Sequence, residues 1–381
     1  MGQPVQRNIV VSAVNLRKGG TLTVLRDCIH YLASRPDFNV TALVHDRRLC
    51  EVRDIEYIEI PWSARGWGRR LWCEYVTLKK ISEKLPKTDL WLSLHDTTPR
   101  VEATRQAVYC HTPFPFMKPR RRDWVMDPKI PLFAHFTKYA YRWNVQKNRY
   151  LIVQQQWMRE AMAQLLPFDA KRIIVAPPAF QPMVIAGDSR SDPGPERSES
   201  LDQRERMTTF LYPATADVHK DFETLCEAAR ILEGRIGTER FQVCLTVSGK
   251  ENRYARWLKK HWGDVASIDF HGLMSRDELA AAYGTASCLV FPSRAETWGL
   301  PISEFKPTGK PMILADLPYA HETASGAAQV AYFPVSEAAQ LADRMQAVVE
   351  GHTDDFQPVE TPFYEEPFVE NWEQLFDLLL T

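Results

Sequence analysis

Two glutamates with seven residues between them, Glu296 and Glu304, lie in the part of this sequence richest in potential chemistry. Segment 290–305 runs from an apolar strand through a loop into a short helix. Pro301 suits the first turn of that helix, where its missing N–H costs nothing, and Pro307 and Gly309 end it. An ionised carboxylate offers two acceptor oxygens and suits paired hydroxyls. Glu296, on the loop, can accept from sugar hydroxyls, and Glu304, about one turn into the helix, from a vicinal diol such as a ribose. Gly299 lets the backbone come close to a ligand. The Gly299 and Leu300 amides sit at the helix start, where free N–H groups and the helix dipole suit an anion such as a diphosphate. Thr297 and Trp298 fill the loop. The carboxyl end of a parallel strand is where open α/β sheets bind ligands.

A second position has the same logic. His111 follows the apolar run 107–110 and so falls at a strand's carboxyl end. A third is Ser248-Gly249-Lys250, at the end of the apolar run 242–247.

These residues need a scaffold, and the apolar runs supply one. Strands are predicted at 8–13, 40–44, 90–94, 107–110 and 150–153, with a helix over 23–33 after a loop holding Gly19 and Gly20. The rhythm restarts with strands at 209–212, 242–247, 287–291 and 311–315 and helices over 222–232, 277–283 and 368–380. Short apolar strands spaced by helical segments predict parallel sheets covered on both faces. Residues 186–206 hold almost nothing to bury and read as a flexible loop or linker. The predicted domains are 1–185 and 207–355, joined by that linker and followed by a terminal segment, 356–381.

Length and composition agree with this. At roughly 100–200 residues per domain, 381 residues make two domains, and 45% hydrophobic with 25% charged residues is ordinary for a globular chain. A formal net charge of −1 gives no global signal for nucleic acid. The seven cysteines are scattered and never form a C-x-x-C pair, which argues for a reducing, cytosolic setting without disulfides. There is no D-x-D triplet and no His, Cys and Asp cluster at ligand spacing, so no metal and no cofactor are expected. No apolar run reaches the roughly 18–20 residues of a membrane span.

The Glu296–Glu304 spacing resembles the E-x7-E signature of family-4 glycosyltransferases. The lead-in Pro292-Ser293, the core Glu296-Thr297-Trp298-Gly299-Leu300-Pro301 and the trailing Gly309-Lys310-Pro311 match as well. The resemblance is firm from about 207 to 335 and looser from 8 to 180, and spans most of the chain. It implies a GT-B fold, an α/β arrangement of two Rossmann-like doubly wound domains facing a central cleft, with the terminal segment 356–381 packing back across the domains. It also implies a retaining, metal-independent transfer of sugar from a nucleoside-diphosphate-sugar to a hydroxyl acceptor. On this likeness Lys220 pairs with the donor diphosphate, Glu296 holds the donor sugar and His111 lines the reaction centre. Leu273 and Met274 reach the nucleobase through their backbone, and Gly19 and Gly20 correspond to the family's N-terminal glycine loop. One departure stands out: an arginine usual five positions before the lysine is here Thr215, with His219 or Lys250 as its substitutes.

Two basic-aromatic stretches suit an anionic membrane surface or a lipid-pyrophosphate acceptor. One contains Trp67, Arg69 and Arg70, the other Arg120, Arg121, Arg122 and Trp124. By family analogy the expected setting is bacterial surface-polysaccharide synthesis on a lipid-linked glycan, with the enzyme cytoplasmic or peripheral at the inner face of the membrane. A phosphorylase or an epimerase of the same fold, or a catalytically silent nucleotide-sugar-binding protein, stays open as an alternative.

Overall fold

The computed structural model describes residues 6–17, 19–178 and 207–381. The linker expected over 186–206 lies outside the described residues. Two compact units form. The first comprises Met1–Phe116, Phe133–Ala179 and Phe363–Thr381, and the second Met117–Leu132 and Phe180–Pro362. Residues 117–132, read from the sequence as part of the N-terminal domain, thus belong with the second unit, and 363–381 with the first.

In the first unit, seven strands form one parallel sheet. They are β1 (Arg7–Ala13), β2 (Phe38–Val44), β3 (Glu56–Glu59), β4 (Leu90–Ser93), β5 (Arg105–Tyr109), β6 (Tyr150–Val153) and β7 (Ile173–Val175). Their order is β3-β2-β1-β4-β5-β6-β7, so the winding reverses between β1 and β4. Parallel neighbours require crossover connections, and helices fill that role. The helix Gly19–Ala33 buries Leu22, Leu25, Cys28, Ile29 and Leu32 at helical spacing against the sheet. Gly19 and Gly20 open this helix rather than sit in a preceding loop.

The C-terminal helix spans Trp372–Leu380, four residues shorter at its start than the sequence pattern predicts. Asn371 caps it by accepting from the Gln374 N–H at 3.0 Å. Phe368, upstream, instead bridges Val175 as an added strand position. Leu375, Phe376, Leu379 and Leu380 enter the same core as Ile9, Val11 and Ile29. Each such side chain, fully buried, stabilises by about 1.5–3 kcal/mol.

The second unit has six parallel strands: β8 (Thr208–Tyr212), β9 (Phe241–Leu245), β10 (Ile268–Phe270), β11 (Cys288–Phe291), β12 (Met312–Ala315) and β13 (Val330–Phe333). The order is β10-β9-β8-β11-β12-β13, and the reversal falls between β8 and β11. Every residue of β11 and β12 is buried, as expected for central strands covered on both faces. The helix Arg276–Thr285 begins with a capping box, Ser275 and Glu278 each bonding the other's backbone. All seven cysteines are free, and six are buried. Among the described residues, no helix is long and apolar enough to cross a membrane.

Candidate functional site

In the second unit the chain leaves β8 and β11 on two neighbouring loops at the point of reversal. One loop, 213–221, contains the 3-10 turn Val218–Lys220, and the other runs 292–299. They are stitched together through their backbones. The Arg294 N–H donates to the His219 carbonyl at 2.8 Å, and the Arg294 guanidinium donates to the Val218 carbonyl at 3.0 Å. Two buried tyrosines hold the loops from below. Tyr212 donates to the Lys220 carbonyl at 2.7 Å and Tyr319 to the Ser293 carbonyl at 2.7 Å. Both rings belong to a buried aromatic group with Phe222 and Phe291.

That stitching brings the Lys220 ammonium against Glu296 Oε1 in an ion pair whose side chains are only 16% and 13% exposed. Lys220 and Glu296 are 76 residues apart in the chain. Asp221, next to the lysine, sits at φ 54° in the left-handed region, which is uncommon for a residue with a side chain. Its carboxylate receives a two-pronged pair from Arg120 at 2.8 and 3.1 Å and a bond from Ser336 at 3.1 Å.

Glu304 lies on the short helix Leu300–Phe305, where Tyr283 donates to its Oε2 at 2.7 Å. Gly299 caps that helix at φ 86°, and a Cβ there would come within 3.3 Å of Ile302 Cδ1. Both facts favour glycine. Trp298 is half-buried, donates through Nε1 to Ser303 Oγ at 2.9 Å and accepts at its carbonyl from Thr323. Thr297 is half-buried beside it.

The other expected donor contacts differ in readiness. The Ser248 and Gly249 amides already donate to the Glu251 carboxylate, at 2.6 and 3.1 Å. A ligand taking them must displace Glu251. Gly249 sits at φ 89°, with room for no Cβ because Lys259 Cβ would lie 2.6 Å away. Lys250 is exposed. Gly272, at φ 99°, forms a turn that leaves Leu273 87% exposed and Met274 half-buried. His219 is buried, and burial followed by the nearby Lys220 charge pushes it down to about 4. It is therefore neutral near pH 7 and does not carry the positive charge that Thr215 lacks.

In the first unit His111 follows β5, beside the reversal at β4. Its N–H donates to Asp96 Oδ1 at 2.5 Å, and its ring stacks on Tyr109 at 4.5 Å. Neither ring nitrogen has a partner among the described residues, although the residue is 6% exposed. Burial holds the imidazole neutral, with its pKa lowered to about 4. A buried unsatisfied imidazole is costly unless something binds it.

A polar network missed from the sequence lies nearby. Ser12 Oγ is 2.9 Å from His95 Nε2, and His95 Nδ1 is 3.3 Å from Glu74 Oε1, all fully buried. Arg70 completes it, donating to Glu74 at 2.8 Å. Burial alone would raise Glu74, but Arg70 and His95 outweigh it and hold the carboxyl below its usual range.

The basic-aromatic stretches are only partly available as surface. Arg70 is held by Glu74, Arg120 by Asp221, and Arg122 lies 3.6 Å from Glu223 and over the Trp257 ring at 4.5 Å. Arg69, Arg121, Trp67 and Trp124 are exposed. These residues divide between the two units.

Against this geometry, residues 195–357 match the model of the family described as glycosyl transferases group 1. The chain carries a group 1 glycosyltransferase domain. It is a transferase domain, and both loops of the Lys220–Glu296 pair lie inside it. A comparison of the sequence with curated proteins finds no match.

Solved structures similar to this chain share its two-domain GT-B fold. HepE from Anabaena, in complex with UDP and glucose, is 14% identical, with a TM-score of 0.62 over 91% of each chain. A glycosyltransferase from Rickettsia africae is 14% identical, with a TM-score of 0.63 over 91% of this chain and 88% of that one. WaaG, a glycosyltransferase involved in lipopolysaccharide biosynthesis, is 14% identical, with a TM-score of 0.60 over 90% of each. At that identity the likeness concerns the fold.

The motif residues Lys220 and Glu296 are thus brought together, while Ser248 and Gly249 are occupied internally. Tyr212, Tyr319 and Arg294, the last held in turn by Asp123 at 2.7 Å, position the loops without any signal a single sequence could give. Their types are common, and they are scattered over a strand end, a loop and two short helices.

Proposed function

We propose that the enzyme transfers a sugar from a nucleoside-diphosphate-sugar to a hydroxyl acceptor, with retention at the anomeric carbon. The observation that carries this is the Lys220–Glu296 pair, held on the two loops at the sheet reversal. A lysine there neutralises the charge that develops on a departing diphosphate, and such electrostatic terms are commonly the largest in catalysis. Glu296 orients the ammonium in the free enzyme and accepts from the donor sugar once it binds. The departing phosphate itself takes the acceptor proton, so sugar and nucleophile meet on one face. Glu304, fixed by Tyr283, accepts from the ribose diol, and the Gly299 and Leu300 amides face the diphosphate. His111, neutral and with both ring nitrogens unpaired among the described residues, holds a hydroxyl of sugar or acceptor. No step calls for a metal ion.

HepE complexes contain UDP and UDP-glucose, which supports UDP-sugars as the first donors to test. The description of WaaG as a glycosyltransferase of lipopolysaccharide biosynthesis supports a glycan acceptor of the surface-polysaccharide kind, and we carry a lipid-linked acceptor met at the inner face of the membrane as part of the same proposal. The test is Glu296→Ala in purified protein, with a panel of nucleoside-diphosphate-sugars and chelator present. Transfer that is abolished supports the assignment, and transfer at the wild-type rate removes it. Product anomers read by NMR settle retention.

A further inference from the structure

Strand β9, strand β10 and the first residue past β10 bring together three side chains of metal-ligating type. Cys244 on β9 and Asp269 on β10 are direct register partners on one face of the sheet, and His271 follows two residues after Asp269. The opposite face of β9 is fully buried through Phe241, Val243 and Leu245, which fixes which way Cys244 points. The ligand atoms of Cys244, Asp269 and His271 all lie within 4.8 Å of one another. His271 Nδ1 is already 3.5 Å from Asp269 Oδ2.

We propose that Cys244, Asp269 and His271 form a binding site for a borderline-soft divalent cation of the zinc type. One thiolate, one imidazole and one carboxylate make a donor set suited to zinc, and three protein ligands leave a fourth position for water. Bonds of about 2.0–2.3 Å in a tetrahedron put ligand atoms about 3.3–3.8 Å apart. The separation present needs to shrink by about 1 Å, which side-chain rotation supplies. The Asp269 and His271 side chains are 39% and 48% exposed and free to make that move, and they leave an entry path from solvent. Two of the three ligands sit on paired strands, and His271, the first residue past β10, is tied to β9 by its N–H to the Leu245 carbonyl at 3.1 Å.

Sequence spacing conceals this site. Cys244 stands 25 positions before Asp269 (269 minus 244), and only strand pairing makes them neighbours. His271 also opens the turn through Gly272 to the exposed Leu273. A cation held there ties that turn to β9. This inference does not depend on the transfer chemistry.

Cobalt(II), which takes zinc sites and reports thiolate coordination by near-ultraviolet charge-transfer absorption, is the probe for the full-length protein. One cobalt ion per chain is expected, displaced by zinc. The band is lost in Cys244→Ser, and affinity falls at least tenfold in His271→Ala and Asp269→Asn. A second reading uses the thiol itself. Cys244 is the one cysteine not buried, so it reacts first with a thiol reagent, and stoichiometric zinc should protect it. His271→Ala keeps the thiol and loses the protection. An unchanged cobalt spectrum in Cys244→Ser, or equal thiol reactivity with and without zinc, overturns the proposal.

Discussion

Arg294 and Asp123 form a buried ion pair across 171 residues of chain, with NH2 2.7 Å from Oδ1 and side chains 4% and 1% exposed. Asp123 lies on the short helix Arg121–Met126, so this pair is one reason that helix belongs to the second unit. Removing one partner strands the other charge in a dry site. Arg294→Ala or Asp123→Ala should lower stability by about 3–5 kcal/mol, read as a drop in the urea midpoint at unchanged slope. Exchanging both for apolar residues of similar volume should cost much less.

Lys220 is expected to act on the chemical step rather than on binding. Lys220→Ala should reduce kcat by about 100- to 1,000-fold, as for loss of one preorganised charge at the reacting centre. The Michaelis constant for donor should change far less. Steady-state kinetics with varied donor checks this, and a pure KM effect would move Lys220 out of the reacting centre.

Tyr283 tests Glu304. Tyr283→Phe removes the hydroxyl that donates to Glu304 at 2.7 Å and nothing else. One hydrogen bond is worth about 1 kcal/mol, or roughly fivefold. The donor KM should rise by about that factor with kcat nearly unchanged, and a donor lacking the ribose diol should not discriminate the variant from wild type.

The two buried histidines set an acid limit. His111 and His219 are lowered from 6.5 to about 4, both mainly by burial. The unfolded chain therefore binds more protons than the folded one between those values. Stability is fully present above pH 6.5 and is lost as pH falls toward 4. At about 1.4 kcal/mol per pKa unit, each histidine accounts for about 3 kcal/mol at the acid end. His111→Leu should flatten part of the fall in urea midpoint between pH 7 and 4.5. An unchanged pH profile would mean that His111 is accessible to protons in the folded state.

The central strands were legible because they are continuous apolar runs. β1, β2, β4, β6, β8 and β11 appear at or near their predicted bounds. What escaped has physical causes. β3, Glu-Tyr-Ile-Glu, sits at a sheet edge, where charged ends blunt further pairing and hide the strand pattern. β7 has three residues, too few for any period to show. Glu296 and Lys220 were found by a motif, but their contact depends on two loops meeting at a reversal, which no local pattern encodes. The availability of a basic residue was less legible still. Arg70 and Arg120 read as surface charge until the partner acids Glu74 and Asp221 are seen.

The way the chain is apportioned limits how it can be cut. A fragment ending near residue 180 would keep residues 117–132 without Arg294 and Asp221, their counter-charges. It would also lack the Trp372–Leu380 helix, whose Phe376 stacks on Tyr31 at 5.5 Å. The complementary fragment would carry that helix with no sheet to cover. Neither piece is a self-sufficient folding module, so expressing the second unit alone calls for grafting 117–132 onto it and trimming the tail before residue 363.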